Sequence, residues 1–120
     1  MERGQQGTRG GWLWLLQALS GLLLVLLLAL HIVANHFIVE GGLRTYQDVV
    51  TYLSNPLVFV LEVLFLLTVT LHAGLGVRSV LLDLGLSPTA ERRVNLVLTL
   101  LGIVAVAYGV WLSLMIQGRA

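Results

Sequence analysis

The chain of 120 residues has no cysteine and no lysine, only two prolines, and only 11% charged residues. Each absence removes a class of function. Without cysteine there is no disulfide framework, no thiolate metal site and no iron–sulfur ligation, so a redox centre has to be held by histidine or brought by a partner. Three histidines, His31, His36 and His72, are the whole inventory. All seven basic residues are arginines, and they form no basic patch interleaved with aromatics, so nucleic acid is not an expected partner. The scarcity of charge goes with 58% hydrophobic residues and a mean hydropathy of +0.93, far from the balance of a soluble domain. An integral membrane protein is expected, of the all-α class with three transmembrane helices.

Residues 1–11 are polar and glycine-rich, carry Arg3 and Arg9, and read as a short mobile tail. The uncharged run that follows is far longer than the ~7–15 residues of a signal-peptide core and suffices to cross about 30 Å of hydrocarbon. It predicts a first span over 12–39, with Trp12 and Trp14 at the interface. Residues 40–55 form an outer loop of mixed composition that ends on Asn55-Pro56, a cap followed by a first-turn proline. The second span is 56–82, and a short cytoplasmic loop over 83–93 is broken by Ser87-Pro88-Thr89. The third span is 94–116, with Trp111 near its exit and an outer tail at 117–120. Arg3, Arg9, Arg78, Arg92 and Arg93 fall on one side, and Arg44 and Arg119 on the other, which places the N-terminus in the cytoplasm and the C-terminus outside. The second span holds one internal acid, Glu62, read first as snorkelling to the interface, with a buried bond to a neighbouring helix as the alternative. In the third span Gly102, Ala105 and Gly109 recur at helical spacing and form a packing face.

The stretch Leu71 to Gly85, LHAGLGVRSVLLDLG, carries the most chemistry. At about 100° per residue, His72, Gly76, Ser79 and Asp83 return to one helix face. A glycine one turn beyond a buried imidazole leaves room for a flat group against the backbone, and His72 is then a candidate axial ligand of haem. In the first span Gln17, Ser20, His31 and Asn35 form a narrow polar stripe that has to face protein or cofactor, since lipid offers no hydrogen bond, while His36 points away from it. His31 is the second candidate ligand. By helical rise it lies about 13 Å from His72 in depth, whereas two axial nitrogens on one iron lie only about 4 Å apart. Each would serve a different haem completed by another chain. Two plainer readings stay open: both histidines as hydrogen-bonded bundle residues, or Glu62, His72 and Asp83 in proton-coupled transport. Zinc is poorly supported, because three or four ligands do not converge.

The sequence His72-Ala-Gly-Leu-Gly76-Val-Arg78-Ser-Val-Leu-Leu-Asp83-Leu-Gly85 resembles the second-helix motif of the small cytochrome b membrane-anchor subunits of succinate dehydrogenase. The resemblance extends to the three spans and to Ser20-Gly21 followed by His31 in the first. It implies a bundle of which this chain is half, the other half being a second cytochrome b anchor subunit, with one or two b haems shared between them. His72 would then ligate the haem nearer the cytoplasm, beside Gly76, and His31 the distal one. Asp83, Arg78 and Ser79 would edge a quinone pocket or the docking surface of the iron–sulfur and flavoprotein subunits, in a bacterial or archaeal cell membrane. Two departures stand out: Ala18-Leu19 precede Ser20-Gly21 where members often carry arginine, and Leu84 follows Asp83 where some carry tyrosine. Both shift the main quinone ligands to the sister chain. The alternative function is a non-redox membrane adaptor or a small transporter subunit.

Overall fold

The structure, a computed structural model, describes residues 2–119, with side chains from Gly10 onward. It contains four helices: α1 (Glu2–Phe37), α2 (Tyr46–Ser54), α3 (Pro56–Leu82) and α4 (Pro88–Gln117). Among the described residues there is no strand. Three helical stretches are long and apolar enough to cross a membrane, namely Gly10–Phe37 of α1, α3 and α4. Where a mobile tail was expected over residues 1–11, the backbone is helical from Glu2. No proline interrupts the segment, so the helix nucleated by the apolar run propagates through it. Met1, Ala120 and the side chains of Arg3 and Arg9 lie outside the described residues.

Gly41 and Gly42, at φ +78° and +81°, turn the chain after α1 through a backbone region that other residues avoid. The segment expected as a loop then forms α2. Its N-cap Thr45 accepts the Asp48 N–H at 3.2 Å, while the Asp48 carboxylate accepts the backbone N–H groups of Arg44 (3.0 Å) and Thr45 (2.7 Å). Those backbone donors hold the Asp48 carboxyl below the usual carboxylate range. Val50, Tyr52 and Leu53 of α2 are buried, and Tyr52 and Leu53 share a small core with Val39 and Val58. Asn55 ends α2 and starts α3, its side chain accepting from Leu57 N–H at 3.0 Å.

At the opposite end Ser87 caps α4 by accepting the Ala90 N–H, with Pro88 in the first turn. Ser87-Pro88 thus starts a helix instead of breaking one, and the connection shortens to 83–87 with Arg92 and Arg93 already on α4. α3 is the central helix, with α1 and α4 each packed along it. On the α4 side, Gly109 admits Leu66, whose Cδ2 would lie 2.6 Å from an added Cβ, and Gly102 faces Thr70. Ala105, expected on the same packing face, is exposed. Leucines, valines and isoleucines cover the outside of all three long helices, as suits contact with lipid.

Candidate functional site

His72 projects from α3 onto α1, and its ring lies over Gly21. A Cβ at Gly21 would sit 3.0 Å from His72 Cε1, so the imidazole occupies the space this glycine leaves. His72 Nδ1 is 3.2 Å from the Gln17 carbonyl oxygen and 3.2 Å from Ser20 Oγ, while Ser20 Oγ is 3.0 Å from the same carbonyl. A carbonyl oxygen only accepts, so the contact of the ring with Gln17 is a hydrogen bond in the tautomer with the hydrogen on Nδ1. In that tautomer Nδ1 shares the hydrogen between the two oxygens, and the buried Ser20 hydroxyl donates to Gln17. Nε2 then keeps its lone pair.

Gly76, one turn beyond His72 on α3, faces α1. The side-chain amide of Gln17 approaches it, with Nε2 at 3.3 Å from an added Cβ. The glycine that seats the imidazole is Gly21, on the other helix. Its signal in the sequence was its place beside Ser20 on the polar stripe, which alone does not tell which α3 residue comes level with it.

A second polar cluster lies toward the α2 end. His31 Nδ1 is 2.7 and 2.9 Å from the two carboxylate oxygens of Glu62, and its ring stacks on Phe65 with centroids 4.8 Å apart. The Tyr52 hydroxyl, reaching in from α2, also donates to Glu62. Asn35 Nδ2 donates to the His31 carbonyl at 2.6 Å and to the Tyr52 hydroxyl at 3.4 Å. The first reading of Glu62, snorkelling to the interface, is thus overturned. Its side chain is only 16% exposed because α1 brings an imidazole level with it and α2 adds a phenol, and together they replace water as hydrogen-bond donors. Burial, and then the bond to Glu62, push the Tyr52 phenol well above its ordinary pKa. A cavity of about 470 Å³ opens beside this cluster, bounded by His31, Tyr52 and Glu62 on one side and by Leu66, Gly109 and Ile116 on the other. Sequence reasoning missed Tyr52, which stood in a segment that gave no sign of folding back over the span. His36 is exposed, its ring centroid 6.5 Å from that of its neighbour Phe37.

Since His31 is level with Glu62, it stands about 15 Å from His72 along α3. Among the described residues no three histidine or acidic side chains gather as a metal cluster. At the end of the bundle where α3 meets α4, Arg78 and Ser79 line a groove of about 250 Å³ with Trp14 and Gln17. Arg78 Nε donates to Asn95 Oδ1 at 2.7 Å, and its guanidinium lies 3.8 Å from Glu91, tying α3 to α4. Asp83, expected beside Arg78 and Ser79, is the exposed C-cap of α3 and stands outside that groove.

Comparison with known proteins agrees with this architecture. The sequence model of the family described as Succinate dehydrogenase/Fumarate reductase transmembrane subunit matches residues 4–110. A succinate dehydrogenase hydrophobic membrane anchor subunit of Archaeoglobus fulgidus is 35% identical over 99 residues, 82% of this chain and 84% of the relative. A protein of the same description from Thermoplasma acidophilum is 25% identical over 100 residues, 83% of this chain and 81% of the relative. No solved structure matches. With three spanning helices in place and the match running over most of its length, the chain belongs to the succinate dehydrogenase/fumarate reductase transmembrane subunits, as a multi-pass membrane anchor.

Proposed function

We propose that this chain is the haem b-binding half of a heterodimeric anchor bundle. In this reading a second cytochrome b anchor subunit completes the bundle, the iron–sulfur and flavoprotein subunits dock on its cytoplasmic side, and the assembly helps pass electrons from succinate to quinone. The observation that carries the proposal is the placing of His72 Nδ1 within 3.2 Å of both the Gln17 carbonyl and Ser20 Oγ, which supports a tautomer with Nε2 free to coordinate. The donor set fits a b-type haem: two imidazoles, each with Nδ1 held by the protein, and a glycine beneath the ring of His72. Such a haem supplies reversible one-electron storage between the iron–sulfur subunit and quinone.

The chain itself makes and breaks no bonds of the substrate. His72 would hold the haem nearer the cytoplasm and His31 the outer one. The separation of about 15 Å supports two irons rather than one. Trp14, Gln17, Arg78 and Ser79 edge the quinone pocket, with Gln17 offering an amide and Arg78 held in place by Asn95. Asp83, exposed one turn further, faces the soluble subunits. The excess of arginine at this end of the bundle supports an N-terminus in the cytoplasm of a bacterial or archaeal cell.

A reduced-minus-oxidised spectrum of the complex purified from membranes tests the proposal. The α-band of six-coordinate b haem is expected. His72→Ala removes about half of the reducible signal and His31→Ala the other half, while His36→Ala removes none, as expected where each imidazole ligates its own iron. Absence of a b-type band in the wild type would favour a non-redox adaptor or transporter subunit. Wild-type haem content in His31→Ala would confine the chain to the single site at His72.

A further inference from the structure

A carboxylate largely buried within a spanning helix, about two turns from its outer end, is costly to keep, and the function proposed above gives Glu62 no task. Its surroundings give it one. Both of its oxygens lie within hydrogen-bond distance of His31 Nδ1, and Tyr52 from α2 donates to one of them. Phe65, one turn further along α3, stacks against the imidazole and blocks its rotation. The ring of His31 is therefore fixed in tautomer by Glu62 and in plane by Phe65, with Nε2 left over.

We infer that Glu62 is the positioning residue for His31 as a metal ligand, and that Tyr52 makes the short helix α2 part of that site. The inference rests on the reading of His31 as the outer haem ligand. A carboxylate on the far nitrogen of a ligating imidazole orients the ring and raises its basicity, so the iron receives more electron density and its ferric form is favoured. His72 differs in this respect, because its Nδ1 rests on a neutral carbonyl and a hydroxyl. The two haems are thus held by imidazoles of unequal donor strength, and the source of the inequality is a residue that never touches iron.

Glu62→Gln keeps the size of the side chain and removes its charge. In the purified complex it should raise the midpoint potential of the outer haem and shift its ferric electron-paramagnetic-resonance signal, leaving the inner haem unmoved. Outer-haem retention should fall about ten- to a hundred-fold. Tyr52→Phe takes away the donor that competes for the carboxylate, so the same potential should move the opposite way. General loosening of the bundle would not produce opposite signs. Outright loss of the outer haem in Glu62→Gln, with the inner spectrum intact, equally supports the inference. An outer haem with wild-type potential and signal in Glu62→Gln would overturn it and leave the ligand assignment standing. Loss of both haems in that variant would also overturn it, since the role would then be in folding. If His31→Ala leaves the wild-type haem complement untouched, the ligand assignment itself fails and this inference falls with it.

Discussion

Gly21 is the residue on which the inner site turns, because the imidazole of His72 lies where its side chain would be. Gly21→Ala puts a methyl 3.0 Å from Cε1 and displaces the ring from the Gln17 carbonyl and Ser20. Inner-haem affinity should drop about tenfold or more, read as loss of that part of the α-band. Gly102→Ala is the matched control, since its methyl would meet Thr70 at an ordinary 3.6 Å and the spectrum should not change. His72 as a candidate ligand was legible from the sequence, through one apolar helix bearing one imidazole. Its seat was not, because Gly76 and Gly21 look alike until the register of α1 against α3 is known. The same register hid the partner of Glu62: a bond to a neighbouring helix was one of its two readings, and only the antiparallel pairing of α1 and α3 shows that the partner is His31.

At the scale of elements, the long helices were legible and the short one was not. Uninterrupted apolar runs specify α1, α3 and α4 almost without competition, and Asn55-Pro56 marks the start of α3. α2 is only nine residues long, and part of its support comes from Val39 and Val58, which lie outside it. The local signal that does exist is the reciprocal cap between Thr45 and Asp48. Thr45→Ala should weaken this helix by about 1 kcal/mol and speed amide exchange over residues 46–54, with α3 and α4 unaffected. The cap should also respond to acid. The folded state lowers the Asp48 pKa from 3.8, so its contribution is complete above that value and fades as the pH falls through the lower folded one. Amide exchange at residues 46–54, corrected for its intrinsic pH dependence, should therefore stay constant from neutral pH to about 4 and accelerate only below that.

For the molecule as a whole, the arginine distribution predicts that a tag ahead of Met1 is shielded from impermeant reagents in intact cells while one after Ala120 reacts. Equal labelling at both ends would mean that one of the three spans does not cross. Within the bundle, the two seams of α3 are made differently. Toward α4, small residues meet side-chain methyls along the span, and the polar tie of Arg78 with Asn95 and Glu91 lies near the α3–α4 connection. Toward α1 there are two polar fastenings, Ser20 with His72 and His31 with Glu62, separated by about 16 Å on one helix and about 15 Å on the other. Matched spacings act as a vernier: slipping α1 by a single residue would unmake both fastenings at once, in a medium that offers no substitute donors. The difference in depth between the two imidazoles is thus a property of the α1–α3 pair.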